Sequence, residues 1–125
     1  MNSDIFQNTF DLLLDYLPTN WNKLIFYAAY TNGSYSMKYF TKSEDSGWID
    51  CFSQKDITRS DLIKLFIKIN NSLSKERNDL SDKDRWTVLT MIVDSNGNMT
   101  SEFDYTDISD CEIEYERDWE KKYLD

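Results

Sequence analysis

The chain has 125 residues, 40% of them hydrophobic and 15% aromatic, enough large side chains to fill the core of one domain and too many for a disordered segment. Fourteen basic residues against 23 acidic ones give a net charge of −9, the wrong sign for a direct grip on nucleic acid or an anionic membrane. Histidine is absent, which removes imidazole bases, Ser-His-Asp and Cys-His constellations and most zinc sites, and three glycines cannot furnish a phosphate-cradling loop.

Ile5, Phe6, Phe10, Leu13, Leu14 and Leu17 fall at helical spacing, with Ser3 as the expected N-cap and Pro18 as the stop. Leu24 to Tyr30 is rich in strand formers and apolar on both faces, which predicts a strand covered on both sides. Asn32-Gly33 reads as a tight hairpin turn, its two residues suited to positive φ. The next strand alternates, with Tyr35, Met37 and Tyr39 on one face and Ser36 and Lys38 on the other. A polar loop over 42–47 then leads to a short strand from Trp48 to Phe52.

The period then changes. Leu62, Phe66, Ile69 and Leu73, widened by Ile63 and Ile67, predict an amphipathic helix over about 58–76. A charged linker over 81–85 precedes a long strand from Trp86 to Val93. A turn at Ser95-Asn96-Gly97-Asn98 leads into a strand that puts Met99, Phe103 and Tyr105 on one face and Thr100, Glu102 and Asp104 on the other. The segment from Asp94 resembles a calcium loop only superficially, since glycine is fourth rather than sixth and Tyr105 stands where the liganding glutamate belongs. A final helix opens at Ser109-Asp110-Cys111-Glu112, which reads as a capping box, and carries an apolar stripe of Cys111, Tyr115, Trp119 and Tyr123 or Leu124. The predicted fold is α+β, a single domain over 1–125 in the order α-β-β-β-α-β-β-α. An antiparallel sheet of about five strands packs with an N-terminal, a middle and a C-terminal helix.

Cys51 and Cys111 form no C-x-x-C motif and read as two buried thiols of a reducing compartment. No signal peptide or membrane-length apolar run is visible, so a cytoplasmic location is expected. The four tryptophans, Trp21, Trp48, Trp86 and Trp119, are expected to pack in the core.

Charge is unevenly placed. Residues 1–93 hold eleven basic and twelve acidic side chains, whereas 94–125 hold three basic and eleven acidic. Glu112, Glu116 and Glu120 are spaced i, i+4, a like-charge arrangement that costs roughly 0.2–0.5 kcal/mol per exposed pair. A solvated helix face accounts for part of this, with Glu114–Arg117 and Asp118–Lys122 as expected pairs. The other reading is an anionic docking surface for a basic protein, carried by Glu102, Asp104, Tyr105, Asp107, Asp110, Glu112, Glu116 and Glu120. No catalytic residue, metal ligand set or cofactor site is expected. The alternatives are a module for another basic partner and a carboxylate- or metal-dependent hydrolase, for which Asp104 and Asp107 are the paired acids.

Three stretches together resemble a known family. These are Leu17-Pro18-Thr19-Asn20-Trp21-Asn22-Lys23 with the aromatic strands around Gly33, then Trp86-Thr87-Val88-Leu89-Thr90 running through Asn96-Gly97 to Phe103-Asp104-Tyr105-Thr106-Asp107, and the ending Trp119-Glu120-Lys121-Lys122-Tyr123-Leu124. In this order they are similar to the YezG/EsaG-like family of bacterial immunity proteins, departing at Asn20, where family members usually carry glutamate. The resemblance implies a cytoplasmic antitoxin that neutralises a toxin, commonly a nuclease exported by type VII secretion. It supplies no site residues, so the eight named above rest on charge placement.

Overall fold

The structure, a computed structural model, describes residues 4–124; the expected N-cap Ser3 lies outside them. The elements follow the predicted order: α1 (Asp4–Leu14), β1 (Lys23–Thr31), β2 (Ser34–Ser43), β3 (Ser46–Asp50), α2 (Arg59–Asn78), β4 (Val88–Asp94), β5 (Met99–Asp104) and α3 (Glu112–Tyr123). The five strands form one sheet in the order β3-β2-β1-β4-β5, every neighbouring pair antiparallel.

β1 is central because both its faces are apolar, and only a strand covered from both sides can bury such a run. Leu24, Phe26, Ala28 and Tyr30 face α1 and α2, while Ile25, Tyr27 and Ala29 face α3. The larger core lies on the first side, where Leu62, Leu65, Phe66, Ile69 and Leu73 of α2 join Ile5 and Leu13 of α1. Ile63 and Ile67, expected to widen that stripe, are instead about half exposed. Trp86 and Trp119 are buried, whereas Trp21 and Trp48 pack at the margins of the two cores.

Local chemistry sets the helix ends. Thr58 Oγ1 accepts from the Asp61 N–H at 3.1 Å and the Asp61 carboxylate accepts from the Thr58 N–H at 3.4 Å, a complete capping box for α2. At the other end Arg85 donates to the carbonyls of Arg77 and Asn78 in the last turn and of Leu80 just beyond it, tying the loop after α2 to the helix end. The Arg77 guanidinium lies 4.8 Å from the Tyr30 ring centre and 5.7 Å from that of Trp86, and its Nε donates to the Trp86 carbonyl at 2.6 Å.

Several boundaries differ from the expectation. α1 stops at Leu14, and 15–17 turn toward Pro18. The loop between β2 and β3 shrinks to Glu44-Asp45, and Cys51–Ser53 leaves the strand as a 3-10 turn capped by Asp50. β4 starts at Val88 rather than Trp86. Only Gly33 takes positive φ in the first hairpin turn, at 79°, so Asn32-Gly33 is not the mirror-image turn that needs both residues there. In the second hairpin Gly97 has φ 91°, and the Asp94 carboxylate holds the turn through the N–H groups of Asn96 and Asn98.

The largest correction concerns the start of α3. Ser109 does not cap it: the N-cap is Cys111, with no side-chain hydrogen bond. The Ser109 hydroxyl instead accepts from the Asn32 N–H at 3.3 Å, tying this loop to the β1–β2 turn, and Ile108 is buried below it. Cys111 is therefore exposed and outside the apolar stripe, Cys51 is buried, and both are free thiols.

Candidate functional site

The underside of α3 meets the sheet along a polar row. Lys38, Tyr27, Thr90 and Glu102 occupy paired positions on β2, β1, β4 and β5, with side chains on the α3 side. The Trp119 indole donates to Thr90 Oγ1 at 2.8 Å in a buried bond, and the Tyr123 hydroxyl donates to the Glu102 carboxylate. Lys38 Nζ lies 2.9 Å from Glu116 and 3.4 Å from Glu120, and 5.2 Å from the Phe40 ring centre. Its side chain is only 13% exposed. One lysine thus absorbs two glutamates that would otherwise repel each other across a helical turn.

Beside this row a cleft of about 310 Å³ opens between the β4–β5 edge and α3. Val88 and Thr90 line it from the sheet, Tyr115, Trp119 and Tyr123 from the helix. It holds three carboxylates, Glu102, Asp104 and Asp118, against one cation, Lys122. Partial burial opposes ionisation of Asp104, but the Thr106 N–H and the Tyr115 hydroxyl, the latter at 2.8 Å, outweigh it and hold the carboxyl below the usual aspartate range. Burial and the hydrogen bond to Glu102 push the Tyr123 hydroxyl up to about 12, so it stays a donor at neutral pH. Tyr115 moves in the same direction through burial and its bond to Asp104.

The eight residues singled out by charge take different places. Glu102 and Asp104 line the cleft. Glu116 and Glu120 turn to Lys38. Asp107 is exposed and accepts from the Ser109 N–H at 3.0 Å, which lowers its pKa. Tyr105 lies just past β5, off the apolar face it was expected to share with Met99 and Phe103, and is 57% exposed. Asp110 is exposed, and Glu112 is half-buried in the first turn of α3. The expected pairs Glu114–Arg117 and Asp118–Lys122 form no ion pair among the described residues.

Two participants escaped the sequence reading. Asp118 stands one helical turn after Tyr115, which alone could have placed it on the cleft side. Lys38 lies on the strand face that the alternation predicts, but its partners lie about 80 residues away and no local spacing announces them. Among the described residues no group of three or more Cys, Asp or Glu side chains is arranged to hold a metal ion.

In this cleft the Tyr115 and Tyr123 hydroxyls fix the Asp104 and Glu102 carboxylates, whose oxygens keep further acceptor lone pairs. The fold is that of a small α+β domain with a five-stranded antiparallel sheet. The profile described as "Immunity protein YezG-like" matches residues 2–125, and the chain belongs to the YezG-like immunity protein family. A relative, Immunity protein YezG of Bacillus subtilis (strain 168), is 29% identical over 133 residues, spanning 97% of this chain and 86% of that protein.

Proposed function

We propose that this chain is an antitoxin that binds a cognate toxin domain, a nuclease with a basic surface, and neutralises it stoichiometrically in the cytoplasm of the producing cell. A nuclease receives phosphates on cationic side chains, so an anionic, pre-shaped surface is complementary to the groups the toxin needs. The observation that carries this reading is the cleft in which Glu102, Asp104 and Asp118 stand together on rigid elements. Tyr105, Asp107, Asp110 and Glu112 extend the anionic surface toward the start of α3, while Glu116 and Glu120 hold the helix in place. Family membership supports toxin binding in general. The toxin is sought next to this gene as a secreted type VII substrate. Titrating the purified chain into that toxin's nuclease assay tests the reading. Inhibition that saturates at one equivalent is expected, and undiminished cleavage at excess with no complex on gel filtration overturns it.

A further inference from the structure

On the sheet face opposite α3, the helix α2 carries an excess of charge of the other sign. α2 has five basic and two acidic residues, in a chain whose net charge is −9. Among the described residues neither Lys64 nor Lys68 has an ion-pair partner, and the Asp61 carboxylate is engaged in the capping box. Beside these lysines, Ile63 and Ile67 are each 47% exposed, one helical turn apart. Phe52, 44% exposed, extends the apolar stripe: its ring centre lies 6.2 Å from that of Phe66, and the Arg59 guanidinium sits 5.4 Å above it.

Helix stability does not account for this choice. β-branched isoleucine is a poorer surface helix former than the lysine, glutamate or alanine that could stand there. The core does not account for it either, because Leu62, Leu65, Phe66, Ile69 and Leu73 already form the buried stripe. Apolar anchors at i and i+4, flanked by unpaired cations on a rigid helix, match the pattern by which one amphipathic helix receives another.

We infer that the outward face of α2, formed by Phe52, Ile63 and Ile67 with Arg59, Lys64 and Lys68, docks an acidic amphipathic helix of a partner protein. Charge complementarity selects this occupant, and a basic segment drawn to the α3 side is repelled here. The apolar centre of the stripe favours a protein over nucleic acid, since Phe52 is its single aromatic ring and offers no series of stacking platforms. The inference is independent of the acidic cleft.

The full chain, labelled with ¹⁵N, is titrated with a fluorescent helical peptide of about 18 residues, leucines along one face and glutamates along its flanks. Amide shifts confined to α2 and the Cys51–Ser53 turn are expected. Lys64→Glu/Lys68→Glu and Ile67→Ser should each weaken binding by about tenfold or more without lowering the melting temperature. Should the reversal disturb folding, Lys64→Gln/Lys68→Gln gives the same test at smaller amplitude. Glu102→Lys should leave peptide affinity unchanged. The inference is overturned if affinity ignores the lysine variants or if the shifts map to α3. It is also overturned if phosphatidylserine vesicles or duplex DNA bind more tightly than the peptide through these residues. Self-association of the free chain that Ile67→Ser abolishes would assign the face to a second copy and overturn it equally.

Discussion

Lys38 Nζ reaches Glu116 at 2.9 Å and, one helical turn on, Glu120 at 3.4 Å, so a cation from the second strand holds the acidic C-terminal helix against the sheet. The same ammonium lies 5.5 Å from the Tyr27 ring centre and 6.0 Å from that of Trp119, in an aromatic surround that keeps water away. The acidity of α3 therefore has two uses, one toward Lys38 and one toward solvent.

Removing the cation should loosen the helix. Lys38→Met keeps the aliphatic stem but leaves two glutamates facing each other over an apolar floor. Because the glutamates are partly solvated, the cost should be about 1–2 kcal/mol rather than that of a fully buried pair. Urea unfolding checks this: a lower midpoint with an unchanged slope is expected, and Glu116→Gln/Glu120→Gln should recover part of the loss in the Lys38→Met background.

The indole of Trp119 has one buried acceptor, Thr90 Oγ1 at 2.8 Å. Thr90→Val preserves shape and strands that N–H, which should cost about 1–3 kcal/mol. Thermal unfolding followed by tryptophan fluorescence reads the effect, and Thr90→Ser should restore most of it.

Tyr27 predicts the opposite sign. Its hydroxyl is buried without a hydrogen-bond partner among the described residues, and burial, then Glu116, Glu112 and Glu120, raise its pKa. Tyr27→Phe removes an unsatisfied polar atom while keeping the ring 4.9 Å from Trp119. Stability should hold or rise by up to about 1 kcal/mol, and a loss above about 1 kcal/mol in the same urea titration contradicts the assignment.

Acid should destabilise the fold through particular aspartates. Asp94, Asp104 and Asp107 all have folded pKa values below their ordinary ones, Asp94 through Asn98 and Asn96 in the hairpin turn. A depressed folded value means that the unfolded chain binds more protons in acid. The stability these groups supply is present above about pH 4 and is lost as pH falls through their folded values. Unfolding free energy measured from pH 6 down to pH 2 should decline, and Asp94→Asn should flatten part of that decline.

Association with the toxin should depend on the cleft. Glu102→Lys and Asp118→Lys place positive charge where a cationic surface is expected. Stopped-flow measurements at low ionic strength should show association slowed by about tenfold and a flatter dependence on salt. Asp118→Lys is the cleaner of the two, since Glu102→Lys also removes the acceptor of the Tyr123 hydroxyl, just as Glu116→Lys would break the contact with Lys38.

The order of helices and strands, the double-faced burial of β1 and the apolar stripe of α2 were legible in the sequence. They rest on hydrophobic periodicity and turn residues, which act over a few neighbours in the chain. Local periodicity overextends where tertiary contacts compete: Ser109 serves the β1–β2 turn instead of capping α3, and Ile63 and Ile67 stay about half exposed beside a core that other residues of α2 fill. The fate of the acidic tail was decided only in three dimensions. Composition and spacing determined that the negative charge gathers in residues 94–125. Chain folding decided that Lys38 would take Glu116 and Glu120, that Tyr115 and Tyr123 would hold Asp104 and Glu102, and that Asp118 would join those two acids. Coulomb and hydrogen-bond partners are set by distance in space, and a strand some eighty residues upstream leaves no local mark in the helix it will hold.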